Sequence, residues 1–375
     1  MAIRSVLITG GAGFIGSHVA DELIANGYRV RALDNLTPQV HGEGRRRPPY
    51  LASSVELIVG DVRNANDVAR SLEGMDAVLH LAAAVGVGQS MYDVEHYTSV
   101  NNIGTAVLME AVVKRRLKRL VVASSMSVYG EGLFRDAEGT IREARSRTLA
   151  QLRRGEWEVL DERGRHLEPV PTPETKGVTL ESIYALSKYD QERMCLLLGR
   201  AYDVPTVALR FFNVFGTRQA LSNPYTGVLA IFASRLLNGN RPLVFEDGNQ
   251  QRDFVAVADV ARACRLALES DTASGHVLNI GSGRPRTIVE IARKMAEVVG
   301  KPHLAPEITS KYRMGDVRHC FADISLARRI IGYEPRVAFD EGLAELAKWL
   351  VGQVGQAKDR VADAKAELDA RGLTL

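Results

Sequence analysis

Eight residues near the N-terminus, Thr9-Gly10-Gly11-Ala12-Gly13-Phe14-Ile15-Gly16, constrain what this chain can fold into more than any other stretch of it. They follow a short β-rich apolar run, Ser5-Val-Leu-Ile-Thr9. They precede a segment, Phe14 to about Asn26, whose apolar residues recur with helical spacing before Gly27 closes it. Glycines at 10, 13 and 16 let a strand turn sharply into a helix whose first N–H groups face outward. Those N–H groups and the positive end of the helix suit a pyrophosphate. Arg29-Val-Arg-Ala-Leu33 reads as a second strand, with Asp34 and Asn35 at its end. A carboxylate at Asp34 accepts both ribose hydroxyls of an adenosine and repels a 2′-phosphate, so NAD is expected rather than NADP. Gly60-Asp61-Val62 ends a third strand, a suitable place for Asp61 to meet the adenine.

Strand and helix patterns keep alternating, with strands at Val55–Val59, Ala77–Leu81 and Leu120–Ala123. Near-continuous apolar strands between helices predict an α/β fold, a Rossmann-type doubly wound parallel sheet covered on both faces. Alternation resumes at Pro205–Phe211 and becomes mixed, with strands at Leu243–Phe245 and Val277–Ile280 and helices at Val257–Glu269 and Thr287–Val299. The expected organisation is a nucleotide-binding domain over 1–204, a smaller mixed α/β substrate region over 205–340 with segments returning to the sheet, and a solvated helical tail over 341–375. Two stretches break the rhythm: a polar loop at 35–54, and an insertion at 131–180 rich in charge and carrying Pro169, Pro171 and Pro173. An insertion that long is usually functional or mobile.

A net charge of +3 is too small to argue for nucleic acid, and Arg45-Arg46-Arg47 reads as a solvated loop. Cys195, Cys264 and Cys320 stand far apart, and the histidines show no paired ligand spacing. Neither a disulfide framework nor a metal site is expected, and a cytoplasmic setting is the simplest. No apolar stretch is long enough to span a membrane, and the chain enters its first strand with no room for a signal peptide.

Tyr184-Ala-Leu-Ser-Lys188 places a phenol and an ammonium on one helical face. A cation beside a phenol lowers its pKa, so Tyr184 is expected to exchange protons near neutral pH. Ser124-Ser125-Met126-Ser127 ends the strand at 120–123, where ligands gather in an open parallel sheet, and the Ser125 hydroxyl can meet a reacting sugar oxygen.

With His80-Leu-Ala-Ala83, Asn101-Asn-Ile-Gly104-Thr105, Arg210-Phe-Phe-Asn213-Val-Phe-Gly216, Gln251-Arg252-Asp253-Phe254-Val255 and Arg313-Met-Gly315-Asp316, the chain resembles the NAD-dependent epimerase/dehydratase family, the extended short-chain dehydrogenases, from about residue 4 to 335. The resemblance implies a nucleotide diphosphate sugar as substrate and Ser125, Tyr184 and Lys188 as the catalytic set. It implies cofactor contacts at Gly10, Gly13, Phe14, Ile15, Gly16, Asp34, Asn35, Asp61, Val62, Leu81, Ala82, Ala83, Ser124, Tyr184 and Lys188. Ser127, Asn213, Val228, Arg252 and Arg313 are implied on the substrate, the two arginines suiting a diphosphate. It also implies a homodimer formed by two helices per subunit, starting near Glu95 and Ser182.

Dehydratases of this family carry Asp-Glu directly after the active hydroxyl, where this chain has Met126 and Ser127, so elimination of water is not expected. The 3,5-epimerising relatives use a cysteine near Ser127 and a later lysine, neither present here, and reductases of the fold prefer NADP. Redox epimerisation through a 4-keto sugar remains. Arg218-Gln-Ala-Leu-Ser-Asn223-Pro-Tyr225-Thr-Gly227-Val228, Phe245-Glu-Asp-Gly248 and the long insertion resemble the dTDP-L-rhamnose 4-epimerases. Members of that group carry a CPxCG-like element after Trp-Glu, whereas Trp157-Glu158 is followed here by Leu160 and Arg163. Phe215, Ala256 and Val85 also depart from common family residues. A GDP- or UDP-sugar epimerase and a pyranose–furanose mutase therefore stay open. A non-catalytic NAD-binding sensor is the alternative of another class; it is expected to lack the Tyr or Lys that this chain has.

Overall fold

Seven short apolar strands form the central sheet of the computed structural model, which describes residues 3–225, 227–355 and 357–374. They are β1 (Ser5–Thr9), β2 (Arg29–Asp34), β3 (Glu56–Val59), β4 (Ala77–His80), β5 (Arg119–Ser125), β6 (Thr206–Phe211) and β7 (Val277–Ile280). Their order is β7-β6-β5-β4-β1-β2-β3, and every pairing is parallel. β1, β4, β5 and β6 are buried along their whole length, which is why they read as unbroken apolar runs. Helices Phe14–Ala25 and Val257–Glu269 supply Val19, Leu23, Val260 and Leu268 to the core on one face. Val68, Leu108, Val112 and Cys195 fill the other. The strand order reverses between β1 and β4, so a crevice opens beyond the paired ends Thr9 and His80.

A smaller body hangs over this crevice. Strands Asn213–Phe215, Gln251–Ala256, Pro285–Thr287 and His319–Cys320 form its mixed sheet, and Phe232, Ile291, Met295 and Leu343 are among its core residues. It is built from excursions of a chain that keeps returning to the main sheet through β6 and β7. The C-terminal stretch, expected as solvated helices, packs instead. Helix Phe339–Val351 buries Leu343, Leu346 and Leu350, and helix Val361–Ala370 buries Ala364 and Leu368. The loop at 35–54 contains one helical turn, Pro38–His41.

The insertion folds as a three-stranded antiparallel sheet (Leu133–Arg135, Ile141–Glu143, Glu168–Val170) with helix Leu149–Arg153, around Phe134, Val159 and Leu167. Ionic contacts tie it down. Arg318, fully buried, donates to Glu246 at 2.8 Å, to Asp247 at 2.6 and 2.9 Å, and to Glu158. His319 meets Glu158 at 3.0 Å, Arg147 meets Glu246 at 2.9 Å, and Glu131 accepts from the Arg318 backbone N–H at 2.7 Å.

Candidate active site

Gly10 takes a left-handed conformation with φ +70°, and a Cβ on it would lie 2.9 Å from the Ala82 nitrogen. A Cβ on Gly16 would lie 2.2 Å from the Gly10 carbonyl oxygen, so the turn itself demands glycine at both places. Gly13 differs: a Cβ on it would come no nearer than 3.4 Å to any neighbour, which leaves its face toward the crevice open. Gly13 caps helix Phe14–Ala25 without a side-chain hydrogen bond, and the first turn holds no acidic residue. The helix N-terminus therefore keeps its N–H groups and positive potential for an anion.

One cavity of about 590 Å³ runs from this turn to the small body, and all the candidate site residues named from the sequence line it. At one end Asp34 is nearly buried, accepting backbone N–H groups of Ala12 at 3.0 Å and Leu36 at 2.9 Å, with His41 Nε2 at 3.5 Å. Asn35 and Val62 stand beside Asp61, whose carboxyl the Arg63 hydrogen bonds hold down at about 2. Phe14, Ile15, Leu81, Ala82 and Ala83 give the middle its apolar wall. The open glycine cradle, the uncapped helix end and the carboxylate at the end of β2 fit NAD.

At the crevice, helix Ile183–Ala201 begins with Ser182, whose hydroxyl accepts from the Ala185 N–H at 3.1 Å, while Ser90 accepts from the Tyr184 N–H at 3.0 Å. Anchored so, the helix turns Tyr184 and Lys188 into the cavity opposite Ser125. Burial raises the Tyr184 pKa, and the Ser125 hydroxyl hydrogen bond opposes it. The sign is thus opposite to what the Tyr–Lys spacing predicts, because desolvation by burial is the larger effect. Burial also pulls the Lys188 ammonium down to about 8. Ser124 lines the cavity, but its hydroxyl is spent on Glu192 at 2.7 Å, which also holds Arg210 at 2.7 and 2.9 Å.

On the substrate side, the Asn213 side-chain carbonyl oxygen is buried with no hydrogen-bond partner among the described residues. Arg252 is clasped by the backbone carbonyls of Gln251, Val317 and Arg318. Arg313 lies over the Phe245 ring and meets both oxygens of Asp316, at 3.1 and 2.8 Å, so a diphosphate here would share it. Ser127 accepts from Ser125 at 3.2 Å. Val228 opens helix Val228–Leu237 behind Gly227, a second N-terminus without a side-chain cap.

The cavity has further walls that the sequence patterns did not name as site residues: Gln39, Gln89, Tyr97, Gln219 and Asn223. Tyr97 stands edge-on to Tyr184 with ring centres 6.5 Å apart. Gln39 reaches from the polar loop to Gln89 at 3.0 Å and Asn223 at 3.2 Å, spanning the two bodies. Loop composition carries no signal for that contact, which joins residues far apart in the chain.

The model of the NAD dependent epimerase/dehydratase family matches residues 6–149 and 164–281. The dTDP-L-rhamnose 4-epimerase of Burkholderia thailandensis is 36% identical over 361 residues, covering 94% of this chain and 96% of that protein. The solved structure of UDP-glucose 4-epimerase with UDP-glucose from Thermotoga maritima is 30% identical, with a TM-score of 0.74 over 93% of this chain and 99% of that one. The Thermus thermophilus UDP-glucose 4-epimerase in complex with NAD is likewise 30% identical, with a TM-score of 0.73 over 94% of this chain and 100% of that one.

Proposed function

Because the chain belongs to the NAD-dependent epimerase/dehydratase family, we propose that it inverts a ring carbon of a nucleotide diphosphate sugar, with dTDP-L-rhamnose as substrate and C4 as the carbon. The observation that carries the chemistry is the convergence of Ser125, Tyr184 and Lys188 on the cavity that the glycine turn also lines. The substrate assignment is supported by the likeness to the Burkholderia enzyme along nearly all of both chains.

NAD, held by the glycine turn and Asp34, would supply reversible hydride transfer at the sugar. The chain's own residues do the rest. Tyr184 takes the proton of the C4 hydroxyl and gives it back, and Ser125 fixes the oxygen between them. Lys188 supplies positive charge beneath the phenol, offsetting the burial that raises its pKa. Arg252 and Arg313 hold the diphosphate while the 4-keto sugar turns its other face. Met126 and Ser127, both lining the cavity, bring no carboxyl to the sugar, so elimination of water has no acid–base pair there.

A UDP-sugar is the second reading, favoured by the solved relative holding UDP-glucose. Incubating the protein with dTDP-, UDP- and GDP-sugars without added NAD, and reading products by NMR, separates the two. A C4 epimer from dTDP-L-rhamnose is expected; turnover of only a UDP- or GDP-sugar, or a furanose product, would overturn the substrate.

Homodimerisation is supported by exposed apolar side chains on the two helical segments that pair across such an interface: Val94 and Ile103 on one, Leu186 and Leu197 on the other, each 43–53% exposed. Light scattering should give twice the 41.0 kDa chain mass; the chain mass alone would refute the dimer. Free, buried Cys195, Cys264 and Cys320 support a reducing, cytoplasmic setting.

A further inference from the structure

From Lys188 runs a line of buried polar side chains that the proposed chemistry does not yet use: Gln191, Thr105, His80 and Thr9, none more than 1% exposed. The Thr105 hydroxyl donates to the Asn101 backbone carbonyl at 2.6 Å and accepts from Gln191 Nε2 at 2.7 Å. His80 Nε2 lies 2.8 Å from the same Thr105 oxygen and 3.3 Å from Gln191 Nε2, and its Nδ1 lies 2.7 Å from the Thr9 hydroxyl. Thr9 in turn accepts from the Ala82 N–H at 3.3 Å. The ring is neutral, since burial lowers its pKa to about 3. With the Gln191 amide nitrogen committed to Thr105, its oxygen must face Lys188, whose Nζ donates to it at 2.6 Å.

We propose that Gln191 is a positioning residue for the redox chemistry: its amide, oriented by Thr105 with His80 behind it, holds the Lys188 ammonium in place and charged beneath the Tyr184 phenol. Glu192 also favours the Lys188 cation through space, but among the described residues only Gln191 has an oxygen that accepts its proton. On its own helix, Glu192 is committed to Ser124 and Arg210, the Cys195 thiol is pushed up to about 12 by burial and stays neutral, and Tyr184 is neutral at rest. From β4, His80 is neutral as well. An ammonium with no anion to itself depends on the carbonyl oxygen that accepts its proton.

The kinetic part of this inference rests on the epimerase reading; the spectroscopic part does not. Removing the acceptor lowers the Lys188 pKa further, so the cation disappears at lower pH. The experiment compares NAD-loaded wild type, Gln191→Leu and Thr105→Val, the last keeping Gln191 but losing the oxygen that orients it. Two things are measured: kcat and KM against pH with the nucleotide sugar that the wild type turns over, and the titration of Lys188 without sugar, read by NMR of carbon-13-labelled lysine as a difference from the same protein carrying Lys188→Met. For Gln191→Leu, kcat should fall about fivefold at pH 8 with KM within about twofold. Its alkaline limb and the Lys188 titration should both move down by about one pH unit, with Thr105→Val moving the same way by less. A lower kcat with limb and Lys188 titration both unmoved would make Gln191 a packing residue and overturn the proposal. If Gln191→Leu does not fold, an unmoved Thr105→Val overturns it equally. Should the wild type turn over no nucleotide sugar, the epimerase reading fails while the Lys188 titration still judges Gln191.

Discussion

In the proposed reaction Tyr184 works as an acid and base only through its surroundings, which pull in opposite directions. Burial raises its pKa and the Ser125 hydroxyl lowers it, so an unassisted phenol in this cavity would stay protonated at neutral pH. The proposed proton transfer therefore calls on the positive charge at Lys188. Replacing Tyr184 by Phe removes the exchangeable proton while keeping the ring that Tyr97 packs against edge-on. Tyr184→Phe should retain bound NAD and sugar affinity, measured by absorbance and calorimetry, yet lose about 10²–10⁴-fold in kcat. Turnover near that of wild type would rule out the proposed proton transfer. The glycines show the same dependence on surroundings: Gly16 is required by the Gly10 carbonyl behind it, whereas Gly13 has room for a methyl and is left open toward the crevice.

The insertion at 131–180 keeps its place by charge rather than by a large core of its own, which amounts to Phe134, Val159 and Leu167. Its hold on the segment that carries Arg313 runs through Glu131, Arg147 and Glu158, all meeting Arg318, His319 or their partner Glu246. The His319 hydrogen bond and, behind it, Arg318 hold the Glu158 carboxyl down at about 2. A carboxylate with a depressed folded pKa contributes stability that is fully present above its unfolded value, about 4.3, and is lost as pH falls toward the folded one. The insertion should therefore loosen between about pH 4.5 and 2. Trp157, next to Glu158, makes this visible by fluorescence, and Glu158→Gln should flatten that part of the acid transition. An identical transition in the variant would mean that the clamp lies elsewhere.

Across the molecule, the two bodies and the C-terminal tail close on one another around the cavity. The Leu373 carbonyl accepts from the Met314 N–H at 2.9 Å, beside Arg313. Arg371 lies 4.5 Å over the Tyr92 ring, and Tyr92 shares a 2.6 Å hydrogen bond with Tyr225 on the cavity wall. Leu368 packs so near Gly88 that a methyl there would touch it at 3.5 Å. The tail thus braces the substrate side and leaves the glycine turn untouched. Ending the chain after Gly355 should raise KM for the nucleotide sugar about tenfold while NAD content stays at the wild-type level. Equal loss of NAD would point to general unfolding, and an unchanged KM would show that the tail braces nothing.

How much of this was legible beforehand follows from the range of each interaction. The strand–glycine–helix turn, the carboxylate at the end of β2 and the four-residue spacing of Tyr184 and Lys188 are local, set by backbone geometry within a few residues. They name the fold and the proposed reacting groups from the chain alone. The polar line from Lys188 to Thr9 joins positions 9, 80, 105 and 191. The ion cluster joins 131, 147, 158, 246 and 318, and the tail meets a loop some sixty residues earlier, Leu373 against Met314. No pattern of spacing encodes such meetings. Even the direction of the Tyr184 shift came from them: the neighbouring lysine is written in the sequence, but the desolvation that raises the phenol's pKa exists only once strands and helices have closed over the ring.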